Sequence, residues 1–82
     1  MTLYDHRPDD GALLDFAFAR FADTRTVRLC SDDGMTYADY RHTDATRGGP
    51  IMNLTRGTVW ALICAEQAIW QQTHPHAEAT FA

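Results

Sequence analysis

Residues 24–42, TRTVRLCSDDGMTYADYRH, alternate apolar and polar side chains on either side of Asp33-Gly34. Alternation with period two is the pattern of a half-buried strand, and Asp-Gly suits the left-handed backbone conformations of a tight type I′ turn. Such a turn sets the register of the strands that flank it. Counting outward, Ser31 faces Thr36, Leu29 faces Ala38 and Val27 faces Tyr40 on one side, while Cys30 faces Tyr37 and Arg28 faces Asp39 on the other. One register thus yields an apolar face and an opposite-charge cross-strand pair together, which makes a hairpin the preferred reading. A rival helix from Tyr37 to Arg47 starts at the capping-box-like Thr36-x-x-Asp39 and stops at Gly48, but Thr43 and Thr46 weaken it.

The segments around this hairpin read as helices. In DDGALLDFAFARFADT (residues 9–24), Asp9 or Asp10 serves as N-cap, and acids sit near the positive end of the helix dipole. Leu14, Ala17, Phe18 and Phe21 form one apolar stripe. Phe16 lies on the far side, beside Leu13 and Arg20, as a second buried edge or an exposed contact residue. DATRGGP (residues 44–50) is a loop by its glycines and proline. From Asn53 or Thr55 as cap, a long helix runs to Gln72 or Thr73 and is stopped by Pro75. Residues 1–8 are an extended lead-in, and residues 74–82 lack periodicity and read as a flexible tail. The expected fold is a small single α+β domain over residues 1–73, helix–β-hairpin–helix, with both helices packed on one face of a short antiparallel sheet. Its expected core is Leu14, Phe18, Phe21, Val27, Leu29, Tyr40, Val59, Leu62, Ile63 and Ile69.

The long helix contains an anomaly. On a helical wheel Val59, Leu62, Ile63, Ile69 and Trp70 share one arc, and Glu66 lies near its middle. An ionised carboxylate buried without partners costs several kcal/mol, so as a buried polar residue Glu66 requires a partner, a neutral state or an interface. Three readings follow: hydrogen bonds from Tyr37, Tyr40, Arg28 or Arg56; an interface with another chain; or a general base in an apolar pocket. Trp60 and Trp70, with Gln67 and Phe16, are the candidate interface residues, because amphipathic aromatics dominate binding hot spots.

Composition narrows the function. At 82 residues with 45% hydrophobic and 11% aromatic side chains, the chain is too apolar for disorder and too short for more than one domain. No apolar run approaches the roughly 20 residues of a membrane span, no arginine-led apolar leader is seen, and two cysteines stand alone, so the reading is a reduced, cytoplasmic protein without membrane contact. Every basic residue is Arg. The formal charge of −4 is concentrated before Ala45, where nine aspartates face five arginines. Such a surface repels phosphate backbones and attracts basic proteins, so direct nucleic-acid binding is disfavoured.

The catalytic and metal patterns are missing. Cys30, Cys64, His74 and His76 are zinc-binding residue types, but their spacing lacks paired knuckles. Asp9-Asp10 and Asp32-Asp33 fit caps and turns, not a calcium loop. There is no phosphate loop and no nucleophile elbow, and Glu66 alone is not an active site. No metal and no cofactor are expected. The leading reading is a small acidic, non-enzymatic protein-binding module, an inhibitor presenting Asp15, Asp23, Asp32, Asp33, Asp39 and Asp44 to a basic groove on a nucleic-acid-handling protein. The alternatives are a structural homodimer with a Trp-containing helix interface, and a minimal enzyme using Glu66. In kind, though through no shared motif, the profile resembles the small proteins that phages and mobile elements make to block host machinery, CRISPR effectors included.

Overall fold

The computed structural model describes residues 1–42 and 51–82. The chain runs β1 (Thr2–Leu3), α1 (Asp10–Arg20), β2 (Thr26–Cys30), β3 (Tyr37–Arg41), β4 (Ile51–Thr55), α2 (Arg56–Thr73) and β5 (Thr80–Phe81). It is an α+β fold with two helices, a mixed three-stranded sheet ordered β3-β2-β4 and a short parallel pair β1-β5.

The β2–β3 register is the one read from alternation: Val27 pairs with Tyr40, Arg28 with Asp39, Leu29 with Ala38 and Cys30 with Tyr37. The turn differs from the expected type I′. Gly34 N–H donates to Ser31 C=O at 2.9 Å, Gly34 alone has positive φ (75°), and no other described residue has a positive φ. Asp33 instead uses its side chain, accepting from Ser31 Oγ–H at 2.6 Å and from Met35 N–H at 2.9 Å. These bonds let the aspartate adopt ordinary backbone geometry while the glycine alone takes the left-handed position.

The expected two-stranded antiparallel sheet is instead a mixed one. Ile51–Thr55 adds a third strand parallel to β2, with Met52 beside Val27 and Leu54 beside Leu29. Of the two expected helix caps, Asn53 and Thr55, Thr55 is the cap, its Oγ1 accepting Thr58 N–H at 3.0 Å. A lone ribbon leaves one row of β2 backbone groups unpaired, and Met52 and Leu54 extend the apolar alternation, so the segment before Thr55 supplies the missing ladder. The simple helix–hairpin–helix order is thereby interrupted. Arg41 and Ile51 both neighbour Thr26, on opposite sides, so β3 ends and β4 begins at the same end of β2. The expected loop at residues 44–50, the part of the rival helix beyond residue 42, and Asp44 lie outside the described residues.

One buried cluster joins both helices to the sheet: Leu13 and Ala17 from α1, Val27 and Leu29 from β2, Val59 and Ile63 from α2. The buried stripe of α1 is therefore rotated from the expected one. Leu14, Phe18 and Phe21 are half-buried, and Tyr40 and Leu62 likewise. Ile69, an expected core residue, is 60% exposed. Length explains this displacement. An 18-residue helix spans about 27 Å, whereas five-residue strands span about 17 Å, so the C-terminal half of α2 overhangs the sheet. The arc that looked like one core stripe has a core beneath only its first two turns.

The overhang is met by the chain termini. Residues 74–82, expected to fray, return to place β5 beside β1, with Ala82 N–H donating to Leu3 C=O at 2.8 Å. Leu3 is fully buried there. Two ion pairs then define the helix arrangement. Arg56 forks onto Asp10 (Nε–Oδ1 2.8 Å, Nη2–Oδ2 2.9 Å), and Arg20 Nε lies 3.3 Å from Glu66 Oε1. The partners are ten positions apart on each helix (10 to 20, 56 to 66), so α1 and α2 lie side by side and point the same way.

Candidate functional site

Parallel helices present facing stripes at i, i+3 and i+4. From α1 these are Ala12, Asp15 and Phe16, and from α2 Ile63, Glu66 and Gln67; with Asp9, Gly11, Met1, Thr2 and Tyr4 they line a groove of about 580 Å³. Small side chains at Gly11 and Ala12 keep it open. Phe16 and Ile63 supply an apolar floor. Asp9, Asp15 and Glu66 stand around it, and among the described residues no Arg or His side chain lines it. A second hollow of about 370 Å³, lined by Met1, Glu66, Ile69, Trp70 and Thr73, shares Met1 and Glu66 with the first and continues along α2.

The wall formed by β1 is held by a side chain acting as a strand. Tyr4 N–H donates to Gln67 Oε1, and Gln67 Nε2 donates to Tyr4 C=O at 3.1 Å. One amide group thus satisfies both backbone groups of a half-buried residue across 63 positions of sequence.

Three of the four residues expected at an interface meet here. Phe16 and Gln67 line the groove, and Trp70 lines its extension, stacked on His74 with ring centroids 4.7 Å apart. Trp60 does not join them; it packs against the domain's own core. Glu66 is corrected from buried to exposed, with 48% of its side chain accessible and Arg20 as partner. It lacks the apolar enclosure on which the general-base reading rested.

The expected acidic residues fall into different settings. Asp32 accepts Gly57 N–H at 2.7 Å and Arg7 Nη1 at 2.9 Å, and both bonds, the arginine's first, hold its carboxyl below the ordinary aspartate range. It thereby caps the start of α2. Asp33 is lowered by the Ser31 hydroxyl and the Met35 amide within the turn. Asp39 is lowered by the Arg28 fork (2.8 and 3.0 Å), and Arg28 is raised in turn while its guanidinium sits 4.3 Å over the Tyr37 ring. Asp15 and Asp23 are exposed and form no bond or ion pair among the described residues, and of the five expected aspartates that are described only Asp15 lines the groove.

Tyr4 and Met1 belong to the site without a sequence signal of their own, and Asp9 and Ile63, expected as a helix cap and a core residue, also line the groove. The one available signal was Gln67, a double-ended hydrogen-bonding group beside an apolar arc. Among the described residues no three His, Cys, Asp or Glu side chains gather as a metal site. Cys30 is half-buried and Cys64 exposed, both free. No described helix is long and apolar enough to cross a membrane. No family model, curated protein or solved structure matches the chain.

Proposed function

We propose that the chain is a non-enzymatic protein-binding module that takes a basic, apolar-sided segment of a partner protein into the α1–α2 groove. The observation that carries this is the pairing of an apolar floor, Phe16 and Ile63, with a rim of Asp9, Asp15 and Glu66 and, among the described residues, no lining arginine or histidine. An apolar floor favours side chains that leave water, and an acidic rim selects cationic groups and speeds their approach. Ile69 and Trp70 extend the apolar strip beyond Glu66. Occupying a basic segment competes with phosphate backbones for the same cations, so the action is inhibitory where the partner handles nucleic acid. The net charge of −4 supports this direction of attraction.

The test uses fluorescence anisotropy with a labelled synthetic peptide alternating Arg and Leu, and a Glu/Leu counterpart. The Arg/Leu peptide is expected to bind, more weakly at higher salt, and Asp15→Arg to weaken it by about tenfold or more. Glu78→Arg makes the same change in net charge away from the groove and is expected to have little effect. Equal loss in both variants, or equal binding of the Glu/Leu peptide, overturns the reading.

A further inference from the structure

The sheet has two outer edges of opposite character. The β3 edge carries Tyr37, Asp39 and Arg41 on its open face, with Asp39 forked by Arg28. Charged side chains are how edge strands avoid pairing with other chains. The β4 edge, Ile51-Met52-Asn53-Leu54-Thr55, carries no charge, no proline and no glycine. Among the described residues its strand neighbour is β2 alone. Ile51 is 48% exposed on the open face, while Met52 and Leu54 are half-buried on the helix side.

We infer that β4 is the edge by which two copies of this chain pair, antiparallel about a two-fold axis at Asn53. The strand is self-complementary in that register. Ile51 meets Thr55 of the second copy, Met52 meets its Leu54, and Asn53 meets Asn53. The period-two alternation is preserved, so Met52 and Leu54 continue the apolar layer beneath the helices while Ile51, Asn53 and Thr55 continue the open face. The result is a six-stranded sheet, β3-β2-β4 followed by β4-β2-β3 of the second copy, whose outer edges are both the charged β3. Pairing thus covers the two unprotected edges and leaves the two protected ones outside.

Because α2 packs on β4, the dimer also sets the two copies of α2 on either side of the axis.

Sedimentation equilibrium on the full chain is expected to show a monomer–dimer equilibrium. Asn53→Asp, which sets two carboxylates opposite each other at an exposed position, is expected to raise the dissociation constant severalfold without lowering the thermal midpoint of the monomer. In a Cys30→Ser, Cys64→Ser background, a short bis-maleimide should join Asn53→Cys to itself and Ile51→Cys to Thr55→Cys, but not Ile51→Cys to itself. A concentration-independent monomer overturns the inference. So does a dimer that cross-links through Asp39→Cys and not through Asn53→Cys.

Discussion

Replacing Gln67 by leucine should loosen the wall of the groove without emptying the core. Leucine keeps most of the side-chain volume but removes both bonds to Tyr4, the N–H to Oε1 and the Nε2 to C=O at 3.1 Å. Each such bond contributes about 0.5–1.5 kcal/mol net, so the pair contributes about 1–3 kcal/mol. Tyr4 is half-buried and water can replace part of the loss, which favours the lower half of that range. The effect should be local. The β1–β5 pair is two residues long, joined by Thr80 N–H to Met1 C=O at 3.2 Å and Ala82 N–H to Leu3 C=O at 2.8 Å, and apart from these bonds and the Gln67 pair it is anchored by the buried side chain of Leu3. Native-state hydrogen exchange is therefore the assay. At about 1.4 kcal/mol per decade, protection of the Tyr4 amide should fall by roughly 5- to 30-fold, with Ala82 following it. Amides of Val27 and Leu29 should change less. Gln67→Glu keeps an acceptor for Tyr4 N–H but turns a second acceptor toward Tyr4 C=O, so it should recover only part of the protection. A Tyr4 amide that exchanges as fast in the native chain as in an unstructured peptide would refute the strand-like role of Gln67, as would unchanged protection in Gln67→Leu.

Two further outcomes follow from burial and charge. Leu29→Ala removes a fully buried side chain and should cost about 2–5 kcal/mol by urea denaturation read through Trp fluorescence, whereas Ile69→Ala, 60% exposed, should stay within about 0.5 kcal/mol; equal costs would restore Ile69 to the core. Asp10 is held below the ordinary aspartate range, first by the hydrogen bonds from Arg56, so its ionised form is favoured by folding. Its contribution is complete above the unfolded value of about 4 and is lost as pH falls through the lower folded value. The stability gap between the native chain and Asp10→Asn, followed by urea denaturation from pH 7 downward, should hold to about pH 4 and then close; a gap that widens in acid would contradict the assignment.

The elements legible in the sequence are those whose hydrogen bonds are made close by. The β2–β3 register is set across one short turn, where the requirement that Val27 and Leu29 share a face with Ala38 and Tyr40 admits a single pairing. Asp9 and Thr55 cap helices three residues downstream, and Pro75 stops α2, all within a few residues of the groups they act on. Asp39 with Arg28 is equally local. Even there the turn itself departs from the expected type, because the Asp33 side chain accepts from the Met35 amide and the Ser31 hydroxyl.

What the tertiary structure alone decided concerns groups far apart in sequence. The parallel docking of β4 depends on which edge of β2 is vacant, and no local pattern records a vacancy. The buried face of α1 depends on where α2 lies, so Ala17 of the expected stripe is buried together with Leu13, while Leu14 and Phe18 are only partly buried against them. Glu66 looked buried because a helical wheel reports which side chains share a direction and nothing about whether anything lies in that direction. The sheet ends before α2 does, leaving Glu66 to Arg20 and Gln67 to the backbone of Tyr4, and the groove is the space left between them. Direction follows from the 3.6-residue period, but depth follows from the lengths of the elements stacked together, and only their assembly sets those against one another.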